Sequence, residues 1–96
     1  VGSDEEAVFE AVGRRMEKET LARLMEAHLK KREKLVLTLR YGLGGRAPMA
    51  QREVASLLGI SRSYISRIEK KAMEKLRRAL EREQGSEASA SGMRPN

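Results

Sequence analysis

The stretch QREVASLLGISRSYISRIEKK, residues 51–71, constrains the fold more than any other part of the chain. Its small, glycine and apolar positions keep the spacing of two helices joined by a sharp turn. Ala55 stands where two steeply crossing helices come closest, and a small side chain suits that contact. Gly59 closes the first helix in the left-handed conformation that only glycine adopts cheaply. Ser61 can then cap the second helix by accepting a hydrogen bond from a free backbone amide. Val54, Leu58, Ile60, Ile65 and Ile68 supply the apolar side chains that lock the pair together. The joint spacing predicts a helix-turn-helix, and the polar and basic outward face of its second helix suits that helix to reading DNA.

Composition limits what else the chain can be. Its 96 residues, with no Cys or Trp and only two Tyr and one Phe, fit one small domain with a modest core and no disulfide framework. No apolar run is long enough for a transmembrane helix, and the acidic start VGSDEE lacks the layout of a signal peptide. A cytoplasmic protein without a membrane role is therefore expected. The formal net charge is +6, and residues 62–82 hold eight basic against three acidic residues, +5 from one predicted helix. Such a run is either a solvated helix face or the electrostatic footprint of nucleic acid. His28 is the only histidine, and no carboxylate pair has a pocket-forming context. Neither a metal site nor a nucleophile with its base can be assembled, so no enzyme and no cofactor are expected. His28 itself reads as a surface residue near a helix end.

Periodicity is helical almost throughout, and Ala, Leu, Glu, Lys and Arg dominate, which predicts an all-α fold: a small helical domain with a C-terminal helix-turn-helix. A first helical segment, residues 4–28, is expected to bend near Gly13, with Val8, Val12 and Met16 on one face and Leu21, Leu24 and Met25 on a shifted one. A second helix, residues 31–41, packs Leu35, Val36 and Leu39 and is stopped by GLGGRAP. A third begins near Gln51, and a fourth spans residues 62–82. The organisation expected is an approach segment over 1–30, a domain over 31–82, and a Gly, Ser and Ala rich disordered tail over 83–96.

At about 100° per residue, the fourth helix places Ile65, Ile68, Ala72 and Leu76 on one side and Ser63, Arg67, Lys70, Glu74 and Arg78 on the other. Glu69 falls nearer the packed side than a charge should. An ion pair with an arginine of a preceding helix, Arg40 or Arg52, would account for it.

The run REKLVLTLRYGLGGRAPMAQREVASLLGISRSYISRIEKKAMEKLRRAL, residues 32–80, resembles region 4, the C-terminal promoter-reading domain of bacterial sigma factors. It is most similar to the sporulation-type alternative sigma factors. Their pattern joins a leucine-arginine-tyrosine-glycine-leucine run and a loop to a helix start, and ends in serine-arginine-serine-tyrosine followed by serine-arginine-isoleucine-glutamate-lysine. Residues 5–29 look like the usual helical approach to that domain. The resemblance implies a module that binds the −35 element of duplex promoter DNA while held by the flap of the RNA polymerase beta subunit. Activators or an anti-sigma protein are further implied partners, and the isolated chain is expected to be a monomer.

Carried over by position, the resemblance puts base reading on Arg62, Ser63, Tyr64, Ser66 and Arg67. The groove chemistry agrees: Arg can bridge guanine O6 and N7, and Tyr64 either packs on a thymine methyl or lies against the domain edge. Phosphate contacts fall on Arg32, Arg40, Gln51 and Lys71, and activators would face Lys71, Lys75 and Arg77. Two positions depart from the family. Ala50 stands where a capping Thr is usual, at a cost of ~1 kcal/mol, although Glu53 remains. Ser63 stands where primary sigma factors tend to carry Glu, which implies an alternative −35 preference.

Three aromatic residues cannot furnish the domain that melts the −10 element, so this chain alone is not expected to initiate transcription. Two rival functions remain open at this point. One is a free-standing helix-turn-helix regulator with residues 5–29 as a dimer seam, against which the broken apolar register speaks. The other is a protein-interaction module gripped by the polymerase flap or an anti-sigma protein.

Overall fold

The two middle helices begin where a carboxylate three residues along can reach back to a free amide, and they end where glycine lets the chain turn left-handed. The computed structural model describes residues 18–92, with side chains through Glu83. They form α1 (Lys18–His28), α2 (Lys31–Tyr41), α3 (Gln51–Leu58) and α4 (Arg62–Gly92), and no strand occurs among the described residues. The expected bend at Gly13 and the face of Val8, Val12 and Met16 lie outside the described residues.

At the start of α2 the Glu33 Oε1 accepts the Lys30 amide at 2.8 Å. At the start of α3 the Glu53 Oε1 accepts the Ala50 amide at 2.9 Å. This is half of a capping box, because Ala50 offers no hydroxyl in return. Gly42 ends α2 at φ 65, and a Cβ there would sit 2.4 Å from the Arg46 carbonyl oxygen. The following loop is tied back by the Met49 amide, which donates to the Leu39 carbonyl at 2.9 Å.

Gly59 ends α3 at φ 71, and both its amide and that of Ile60 donate to the Ala55 carbonyl, at 2.9 and 3.1 Å. A Cβ at Gly59 would meet nothing within 4 Å, so only backbone strain opposes a side chain there. Gly59→Ala is expected to lower unfolding free energy by about 1–2 kcal/mol in urea titration. A neutral result would mean that the turn relaxes to another conformation.

Two apolar cores share α4. Its N-terminal half puts Ile65 and Ile68 against Val36, Leu39, Val54 and Ala55, with Met49, Leu58 and Ile60 at the margin. Farther along, Ala72, Met73, Leu76 and Ala79 pack against Leu24, Met25, Leu29 and Leu37. The expected apolar side of α4 is thus buried, with Met73, Ala79 and Leu80 added to it. Because α2 lies between both cores, it buries Val36, Leu37, Leu39 and Arg40 and turns Leu35 outward. That corrects the expected packing role of Leu35, which is 44% exposed. The disordered tail also needs correction: α4 continues past the expected end near Arg82 to Gly92. The segment 83–92 contains Ala, Glu and Ser and no proline, and Gly85 weakens a helix without ending it.

Glu33 joins α2 to α4 through Lys75, whose Nζ donates to both carboxylate oxygens at 2.8 and 2.9 Å. Burial pushes the Glu33 carboxyl up. The Lys75 hydrogen bond, the Lys30 amide and the charges of both lysines outweigh it and hold the group below its ordinary value. A carboxyl depressed in the folded state stabilises above its unfolded value, and that contribution is lost as pH falls through the folded one. Glu83, held low by Arg23 on the surface, acts in the same direction. The urea midpoint is therefore expected to fall as pH drops below about 4.3, the ordinary Glu value. Glu33→Gln should flatten that fall; an unchanged acid limb would remove Glu33 from its causes.

Candidate nucleic-acid interface

The first turns of α4 are positioned by the helix-turn-helix itself. Ser61 caps the helix, its Oγ accepting the Tyr64 amide at 3.1 Å, and lies 3.4 Å from the Ser63 Oγ. With Ile65 at 0% and Ile68 at 8% exposure on the inner side, the register turns Arg62, Ser63, Tyr64 and Arg67 out to solvent. Ser66 is half-buried beside them. The five residues expected to read bases thus form one end of one helix, with four presented outward. Such a placement matches how a recognition helix enters the major groove, by its N-terminal residues.

Tyr64 does more than stand at the edge. The Arg67 guanidinium carbon lies 5.7 Å from its ring centroid, and that of Arg32, from α2, lies 5.9 Å away. Both are within the range of cation–π attraction. The ring therefore gathers an expected base reader and an expected phosphate contact onto one surface.

Behind that surface Glu69 is fully buried and accepts hydrogen bonds from three side chains of two other helices, α2 and α3. Arg40 Nε donates to its Oε1 at 3.1 Å, Gln51 Nε2 to the same oxygen at 2.9 Å, and the Tyr41 hydroxyl to Oε2. Arg40 Nη1 also donates to the Met49 carbonyl at 2.7 Å, and its guanidinium covers the Tyr41 ring at 5.1 Å. Of the two arginines expected as partners for Glu69, the structure selects Arg40 and leaves Arg52 exposed. This corrects the expectation of an Arg40 phosphate contact, because its charge is buried and committed to Glu69. The Gln51 side chain is likewise turned inward, so only the amides at the α3 start remain for a phosphate there. Tyr41 was not anticipated, and its partner lies 28 residues away, beyond any local pattern.

Among the remaining expected contacts, Arg32 and Lys71 are exposed. Lys75, expected to face activators, is held against Glu33 with 29% of its side chain exposed. Arg77 is exposed and 3.0 Å from Glu81 on the next turn, a pair of the kind that contributes little.

Residues 27–78 match the family described as Sigma-70, region 4. The chain belongs to this family. As a region 4 chain it is 39% identical over 80 residues to the RNA polymerase sigma-E factor of Clostridium acetobutylicum, covering 83% of this chain and 34% of that protein. It is 45% identical over 74 residues to the RNA polymerase sigma-28 factor of Bacillus thuringiensis subsp. kurstaki, covering 77% and 31%. With the RNA polymerase sigma-K factor of Bacillus subtilis the identity is 43% over 74 residues, covering 77% and 25%. The match spans about a third or less of the length of these relatives. No solved structure gave a significant match. The region 4 match includes α2, α3 and the reading end of α4, so the helix-turn-helix lies wholly within it. No described helix is long and apolar enough to cross a membrane.

Proposed function

We propose that this chain is the promoter-reading domain of an alternative sigma factor: it binds the −35 element as duplex DNA and works within RNA polymerase, held by the flap of the beta subunit. The observation that carries this reading is the exposed cluster Arg62, Ser63, Tyr64 and Arg67 at the start of a helix whose opposite side is locked into the core. Arg62 and Arg67 take the guanine edges, Tyr64 and Ser63 the neighbouring bases, and Ser66 supports them from the half-buried side. Arg32, Lys71 and the amides at the start of α3 hold the backbone. The relatives, all named as RNA polymerase sigma factors, support the same reading. No catalytic role is proposed. Lys71 and Arg77 are the cations best presented to an activator, with Lys75 pinned between them by Glu33.

A single helix-turn-helix makes few phosphate contacts, so isolated binding is expected in the roughly micromolar range or weaker and to fall steeply with salt. The test combines light scattering with fluorescence anisotropy on −35 duplexes of varied sequence, followed by titration with the tip of the polymerase flap. A monomer that prefers one duplex and takes up the flap one to one supports the proposal. A stable dimer indifferent to the flap would instead indicate a free-standing regulator.

A further inference from the structure

Tyr64 differs from its neighbours on the reading end because two cations converge on it from different helices. Arg67 is on the same helix, one turn along, whereas Arg32 comes from the first turn of α2. Among the described residues neither guanidinium has a carboxylate partner. The tyrosine ring is thus the group that orders both side chains, and it leaves their charges unneutralised. An acidic partner would also have ordered them, but it would have cancelled the charge that duplex DNA requires.

We infer that Tyr64 is a positioning residue, and that its ring holds Arg32 and Arg67 as a preformed cationic pair. The pair bridges α2 to the recognition helix at the lip of the groove. This inference rests on the proposed DNA-binding function and deepens it. Tyr64 acts through the two arginines in addition to any contact of its own with a base. Long side chains lose rotamer freedom when they bind, and a guanidinium already resting on a ring loses less. The bridge also couples the two kinds of contact. The arginine that grips backbone and the arginine that reads bases share one support, so displacing the ring weakens affinity and discrimination together.

The experiment compares Tyr64→Phe with Tyr64→Leu in the full chain. Phenylalanine keeps the ring face and discards the hydroxyl. Leucine keeps an apolar surface able to meet a thymine methyl and discards the quadrupole. The first readout needs no DNA: the NMR resonances of the Arg32 and Arg67 side chains should show ring-current shifts in the wild type and Tyr64→Phe, and lose them in Tyr64→Leu. Arginine resonances unmoved by Tyr64→Leu would overturn the inference.

The second readout is binding to the duplex preferred by the wild type. Tyr64→Leu is expected to bind about tenfold more weakly, the scale of two exposed cation–π contacts. Its salt dependence should be shallower by about one phosphate contact as Arg32 disengages. Tyr64→Phe, which keeps the ring, should lose clearly less than Tyr64→Leu in both. Equal losses in the two variants would assign the effect to the hydroxyl and overturn the inference. Wild-type affinity and salt dependence in Tyr64→Leu would do the same. If the ring-current shifts behave as expected but the wild type binds no duplex, the arginine pair exists without a DNA role; the proposed function then fails, and with it the role inferred for the pair.

Discussion

Glu69→Ala is expected to remove about 3–5 kcal/mol of stability, the scale of breaking a buried ion pair by deleting one partner. The loss does not come from a missing contact alone. Arg40 has 6% of its side chain exposed, and the substitution takes away the buried carboxylate it pairs with. The Gln51 amide and the Tyr41 hydroxyl lose the same acceptor. Against a total stability of the usual order, roughly 5–15 kcal/mol, such a loss is a large fraction, and at the lower end of that range it leaves a measurable unfolded population. Glu69→Gln keeps the shape and one acceptor oxygen, so its urea midpoint should fall between wild type and Glu69→Ala. A loss under about 1 kcal/mol in Glu69→Ala would mean that water or a rotated Arg40 replaces the carboxylate, and the buried hub would not be holding the helices together.

Arg62→Ala and Arg67→Ala should each lose about 1–3 kcal/mol of base discrimination, tenfold or more, while the fold stays intact. Both side chains are exposed, and neither belongs to either core, so thermal unfolding should be nearly unchanged. The comparison that gives this meaning is Lys71→Ala. Its expected phosphate contact carries no sequence information, so the variant should weaken binding about equally on every duplex and reduce the salt slope by about 1. Competition anisotropy with duplexes substituted one base pair at a time separates the two patterns. If the arginine variants also lose affinity uniformly, these residues grip backbone, and base reading must move to Ser63, Tyr64 and Ser66. If the wild type binds all duplexes alike, there is no base reading to assign.

Much of this was legible in the chain itself because helices, caps and turns are local. The glycine at 59 and the cap at Ser61 each act within a few residues, as the bonds from Ile60 to Ala55 and from Tyr64 to Ser61 show. The sorting of α4 into Ile65, Ile68, Ala72 and Leu76 against Ser63, Arg67 and Lys70 follows from helical period alone. Leu35 was misplaced for an equally physical reason. A helix serving one core shows one apolar stripe, but α2 serves two, so Leu37 is drawn inward with Val36 and Leu39 while Leu35 is left outside. The length of α4 beyond Arg82 does not follow from composition, because good helix formers (Ala, Glu and Gln) alternate there with Ser and Gly, and such a mixture without a proline permits continuation as readily as a coil.

By itself, then, the sequence determined that the described chain is helical, where the helix-turn-helix falls, and which end of which helix presents arginines and serines. The tertiary structure decided which charges are available. Arg40 and Arg52 are both arginines within helices, and only packing distinguishes the one turned onto Glu69, 29 residues away, from the one left in solvent. Gln51, Tyr41 and Lys75 were assigned inward partners in the same way, and Tyr64 gained an arginine from α2. Side-chain charge is written in the sequence, but whether it faces DNA or a buried carboxylate depends on how separate helices cross, which helical periodicity does not encode.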